Sequence, residues 1–89
     1  MIYLKRGEKM RIDKFLKNSR IIKRRTVAKE ACEGGRVSVN GKTVKPGVEV
    51  SPGDVVEIRF GTGTMKVKII ELIENPKKND GENMYEIME

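Results

Sequence analysis

The sequence predicts an α+β domain in which two short helices pack on a small, mainly antiparallel β-sheet. Apolar residues recur at spacings of three and four in the first third of the chain, then at spacings of two from Val37 onward, so helical periodicity precedes strand periodicity. Between the later runs stand Asn40-Gly41, Pro46-Gly47 and Ser51-Pro52-Gly53-Asp54, which are turn signals. With 89 residues, the chain has room for one small core.

Residues 1 to 9 show no period and are expected to form a flexible N-terminal extension. The single domain then spans residues 10 to 89. From Arg11, the positions Ile12, Phe15 and Leu16 line one side of a short helix, while Arg11, Lys14 and Lys17 point elsewhere. Ser19 and Ile21-Ile22 interrupt that period. Lys23-Arg24-Arg25 then leads into Thr26, read as the N-cap of a second helix over residues 27 to 32. There Val27 and Ala31, and Ala28 and Cys32, form i, i+4 pairs. Gly34-Gly35 stops the helix, because glycine takes the left-handed backbone of a helix end without steric cost.

Arg36 to Val44 places two alternating strands around Asn40-Gly41, a strong hairpin signal. Val56, Ile58 and Phe60 alternate with Val55, Glu57 and Arg59, and Phe60 is assigned to the core with Phe15. Gly61 to Thr64 turns the chain. Met65 to Ile73 is a second long strand candidate whose alternation blurs at Ile70, through a bulge or burial on both sides. Asn75 to Asn83 reads as a surface loop, and Met84 to Met88 returns as a short C-terminal strand.

Charge is distributed very unevenly. Residues 11 to 25 hold seven Lys or Arg against the single acid Asp13, a net of +6 that equals the formal charge of the whole chain. A one-signed local field of that density is the footprint of a polyanion site, whereas a solvated face ordinarily mixes signs. Arg20, Arg24 and Arg25 can each offer a planar fork to two phosphate oxygens, with Lys14, Lys23 and Lys29 as point charges around them. Asp13 is read as satisfying helix amides or orienting Arg11 or a neighbouring cation. Lys66 and Lys68 are read as solvated charge on the outer sheet face, with a second RNA contact as the alternative.

Other classes are disfavoured. With no histidine and one cysteine, neither an internal disulfide nor a Cys/His metal site can form. Cys32 is expected to be a small core residue. No nucleophile, base and orienter set is present, so no catalysis and no cofactor are expected. The scarcity of aromatics, four including Tyr3 and Tyr85, argues against stacking of single-stranded bases. No apolar run is long enough for a membrane span, and the expected setting is cytoplasmic.

Arg11-Ile-Asp-Lys-Phe-Leu, Lys23-Arg-Arg-Thr-Val-Ala-Lys-Glu-Ala, Gly35-Arg-Val-Ser-Val-Asn-Gly and Gly53-Asp-Val-Val-Glu-Ile, in that order, together resemble the RNA-binding module named after small-subunit ribosomal protein S-four. A stand-alone copy with a strand-rich tail and Asn83-Met-Tyr85 near its end is most similar to the bacterial ribosome-associated quality-control P subunits, relatives of heat-shock protein fifteen. The resemblance implies the helical RNA-binding motif of that module. It also implies binding to large-subunit ribosomal RNA and peptidyl-tRNA on stalled, split ribosomes, where a partner factor adds an alanine tail to the nascent chain. Carried over by position, Arg11, Asp13, Arg20 and Arg25 are the residues it points to. A monomer is expected.

Overall fold

In the computed structural model, which describes residues 9–77 and 79–88, the elements follow one another as β1 (Met10–Arg11), α1 (Ile12–Asn18), α2 (Arg25–Glu33), β2 (Val37–Val39), β3 (Lys42–Thr43), β4 (Glu49–Val50), β5 (Val55–Phe60), β6 (Gly63–Ile69), a 3-10 turn (Gly81–Met84) and β7 (Tyr85–Ile87). Residues 1 to 8 of the expected extension lie outside the described residues. Met10 is the first residue of the chain to enter the fold among the described residues. It is buried and pairs with Val50, so β1 and β4 form a separate two-stranded ribbon.

The ribbon delivers the chain into α1. The Ile12 amide donates to Val48 O at 2.7 Å and the Asp13 amide to Pro46 O at 3.4 Å, so the turn before β4 takes up two of the amides that a helix start leaves unpaired. No side chain caps this end. Ile12, Phe15 and Leu16 are fully buried, and each is worth roughly 2 to 3 kcal/mol of hydrophobic stabilisation.

The second helix starts earlier than Thr26. Arg24 occupies the N-cap position without a side-chain cap, and Thr26 lies inside the first turn. Its far end matches the sequence expectation. Gly35 sits at φ 75, the Gly35 amide donates to Cys32 O, and the Arg36 amide donates to Ala31 O, a Schellman closure. Ala28, Ala31 and Cys32 face the core, whereas Val27 lies on the open side.

The main sheet has the order β3-β2-β5-β6-β7, and every neighbouring pair is antiparallel. Asn40 and Gly41, both at positive φ, close the β2–β3 hairpin with Val39 opposite Lys42, as a primed two-residue turn requires. Pro52-Gly53 forms the turn between β4 and β5, with Gly53 at φ 96 and the Asp54 amide donating to Ser51 O at 3.1 Å.

Two sequence expectations are corrected here. Phe60 is 41% exposed and not a core residue, because β5 and β6 pair as far as Phe60–Gly63 and carry this ring to the rim of the helical layer. β6 begins at Gly63, inside the expected turn, and ends at Ile69. The blur beyond Ile69 is a bulge, since the Ile70 and Glu71 amides both donate to Met84 O, at 2.8 and 3.4 Å; the chain then leaves the sheet and crosses toward the end of α1, burying Leu72 and Ile73. No helix among the described residues is long and apolar enough to cross a membrane.

Candidate nucleic-acid interface

The centre of the basic face is a buried acid. Asp13 is 2% exposed and accepts from Arg11 Nε at 3.2 Å, Arg11 Nη2 at 3.1 Å, the Lys14 amide at 2.8 Å and Arg25 Nη2 at 3.5 Å. One carboxylate therefore ties together β1, the first turn of α1 and the first residue of α2. Arg11 binds it as a fork. The two arginine side chains remain 50% and 48% exposed, so each guanidinium is anchored on one edge and open on another. That anchoring removes much of the rotamer freedom a long side chain would lose on binding phosphate.

Arg24, Arg25 and Lys29 are exposed along the start of α2, with Arg25 and Lys29 one turn apart on the same side. The first turn of α2 contains no acid. Cations at a helix start oppose the helix dipole, costing roughly 0.3 to 1 kcal/mol each. The fold carries that cost beside the Asp13 cluster, where the resulting potential attracts anions.

Arg20 and Lys23 lie farther along, in the turn between the helices. Arg20 adopts φ 63, a left-handed backbone that costs an L-residue with a side chain about 1 to 2 kcal/mol. Its amide donates to Lys17 O at 3.0 Å and the Ile22 amide to Leu16 O at 3.1 Å. Lys17, Asn18, Arg20, Lys23 and Pro76 line a cleft of about 210 Å³.

Lys14 is placed differently from the other sequence candidates. Its ammonium is ion-paired with the Glu74 carboxylate, so its charge is engaged within the fold. The sequence reading placed Lys17 on the charged side of α1 without naming it as an RNA contact, and did not single out Asn18. Asn18 is 5% exposed, and its Nδ2 donates to Ile73 O at 3.0 Å and Glu74 O at 3.1 Å. The available signal was a polar residue three positions after Phe15, on the apolar stripe of α1.

Cys32 packs behind this face and is 1% exposed. Burial, and secondarily the negative charges of Asp13 and Glu33, push its thiol up to about 11. A thiol that stays protonated at neutral pH is a poor nucleophile. Among the described residues, no group of three or more His, Cys, Asp or Glu could hold a metal ion.

Two short helices on an antiparallel sheet, presenting arginines pinned by a buried acid, define a small RNA-binding module of the S4 type; the S4 domain family model matches residues 10–56, which carry both helices and β1 to β4. Within that class, the chain is 56% identical over 79 residues to the RQC P-site tRNA stabilizing factor of Listeria innocua, covering 89% of this chain and 86% of that protein. It is 49% identical over 79 residues to the factor of the same name from Bacillus subtilis, covering 89% and 92%. The chain belongs to this family of S4-domain proteins, whose Listeria and Bacillus members are named as tRNA stabilizing factors. Among solved structures, it is similar to the trimeric structure of Vibrio cholerae heat shock protein 15, with a TM-score of 0.83 and 28% identity over 91% of this chain and 83% of that one.

Proposed function

We propose that the chain is a ribosome-associated quality-control factor that binds large-subunit ribosomal RNA and peptidyl-tRNA on stalled, split ribosomes. In this role it steadies the tRNA while an alanine-tailing factor extends the nascent chain. It acts in the cytoplasm as a monomer, with residues 10–89 as one RNA-binding domain and residues 1–9 as an extension. The names of the Listeria and Bacillus relatives support the tRNA and quality-control parts. The observation that carries the reading is the Asp13 cluster, which presents Arg11 and Arg25 together within a one-signed face.

Anchored cations of this kind read the shape and backbone of folded RNA, with Arg24, Lys23 and Lys29 adding field around them. If five to seven cations meet phosphates, log affinity falls with log salt at a slope of roughly −3.5 to −6. The deciding experiment is co-sedimentation with purified large subunits, vacant or carrying peptidyl-tRNA, using wild type, Arg25→Ala and the sheet control Lys66→Ala. Preferential binding to the tRNA-bearing subunit, lost only in Arg25→Ala, supports the proposal. Equal binding to both subunits favours the second reading, a structured-RNA, assembly or recycling factor, which the likeness to heat shock protein 15 favours.

A further inference from the structure

We propose that the cleft between the open side of α2 and the end of β5 seats a single unstacked nucleobase of the bound RNA, with Phe60 as its stacking ring. This rests on the reading of the chain as an RNA-binding factor and deepens it, because it adds contact with a base to contact with the backbone. Ile21, Val27, Ala31, Ile58 and Phe60 line a cleft of about 160 Å³, and among the described residues no acid lines it. A pocket for a drug-sized molecule measures roughly 300 to 1,000 Å³, so this one admits one planar group and little more.

The ring is available because the sheet leaves it bare. Phe60 is 41% exposed and Val27 is 44% exposed. Across the strand pair Phe60 stands opposite Gly63, which has no side chain to cover it. Four aromatic residues are too few for a platform that tracks a single strand. One free ring suffices for a base that folded RNA turns outward at a loop or bulge.

Charge selects the occupant. Arg36 and Arg59 complete the lining of the cleft. The Arg59 amide donates to Arg36 O at 2.9 Å, and Arg59 Nη2 donates to Gly35 O at 3.2 Å, so this guanidinium is tethered. Guanidinium planes stack on bases and fork phosphate oxygens, which suits both halves of one nucleotide. Beyond the two arginines a polar cleft contains Glu57, whose carboxylate repels phosphate and leaves the apolar side as the favoured seat. An amphipathic helix would bring anchors at i, i+3, i+4 and i+7, more than a cleft of this size accepts. Ile21 and Val27 also flank the Lys23-Arg24-Arg25 run in sequence, so RNA held by that run passes the cleft.

The test compares a hairpin RNA bearing an unpaired loop with a blunt duplex of the same stem, with melting temperature measured in parallel. Phe60→Leu keeps an apolar side chain and removes the ring. It should bind the hairpin about tenfold more weakly, bind the duplex like wild type, and keep the wild-type salt slope, because no phosphate contact is lost. Its melting temperature should stay near that of wild type. The chain contains no tryptophan, so Phe60→Trp places a sole indole fluorophore in the cleft. Its emission should be quenched by the hairpin and not by the duplex. Wild-type hairpin affinity in Phe60→Leu, or an equal loss for hairpin and duplex, would overturn the base seat while leaving RNA binding intact. A flat salt response of wild type would instead remove the RNA reading itself. Quenching by adenosine monophosphate alone, at the concentration used for the hairpin, would assign the cleft to a free nucleotide and overturn the RNA source. Emission that ignores RNA but responds to rising protein concentration, or to an acidic leucine-bearing peptide, would assign the cleft to a second copy or a protein partner and overturn the proposal as well.

Discussion

On the helical side, the window from Arg11 to Arg25 holds seven cations and one acid, and that acid is buried beneath two of them while Glu74, from outside the window, engages Lys14. On the outer face of the sheet, Lys66 stands opposite Glu57, and Lys68 opposite Glu86. Both regions expose lysine or arginine, yet only the first has a segregated sign. Cross-strand opposite charges stabilise the sheet by roughly 0.2 to 1 kcal/mol per pair and cancel one another's field within about a Debye length of 8 Å. The helical face instead bears self-repulsion and a strained turn, and it retains an uncancelled potential. The number of cations is therefore a poor guide to a polyanion site; their pairing is the better one.

The strongest way to break that contrast is to remove a pinned arginine. Arg25→Ala should weaken RNA binding roughly 30-fold, because a charge-assisted fork is worth about 1.5 to 3 kcal/mol. Arg11 still covers Asp13 in this variant, so the fold should persist. Filter binding at fixed salt measures it, and a loss under threefold would mean that the cluster is structural only.

Asp13→Asn sharpens the comparison further, since field and positioning make opposite predictions. Net charge rises by one, so a purely electrostatic face would bind RNA more tightly. If Asp13 instead positions Arg11 and Arg25, affinity should fall about tenfold. Stability should also drop by roughly 1 to 2 kcal/mol as charged hydrogen bonds are lost. Calorimetry alongside the binding curve separates the two effects.

The buried thiol behind the face provides a pH test. Cys32 has its pKa raised from 9.0 to about 11, so between those values the unfolded chain releases a proton that the folded chain keeps. Stability present below pH 9 is therefore lost as pH rises, by an amount on the order of 1 kcal/mol at pH 10. Because Lys and Tyr titrate in the same range, the measurable quantity is the difference in denaturant midpoint between wild type and Cys32→Ala. That difference should narrow above pH 9.

What could be read from sequence was local. Asn40-Gly41, Pro52-Gly53 and Gly34-Gly35 each need a positive φ that few residues supply cheaply, and the structure uses every one of these pairs for the expected turn. The α+β class and the basic cluster follow from periodicity and charge in short windows. The misread features depend on partners far along the chain. Phe60 alternates correctly with its strand, but its exposure depends on where the helical layer ends. Thr26 looks like a cap, but α2 begins at Arg25, whose guanidinium reaches Asp13 across 12 residues. Lys14 resembles its neighbours in sequence, yet Glu74 engages it from 60 residues away. Arg20 could be chosen by position, but its left-handed backbone could not be read from the letters.

The smallest effect is expected on the sheet. The double variant Lys66→Ala, Lys68→Ala removes as much charge as losing both pinned arginines, and a face-blind electrostatic model would predict a comparable loss of RNA affinity. Because Glu57 and Glu86 stand opposite these lysines, the field they project is already offset. Affinity should change by less than about twofold, with the salt slope unaltered, since no phosphate contact is lost. Stability should fall by no more than about 1 kcal/mol, the scale of exposed pairs. A slope shallower by more than about one would place phosphates on the sheet as well. The RNA would then have to reach around the domain, and the division between a binding face and a neutralised face would no longer hold.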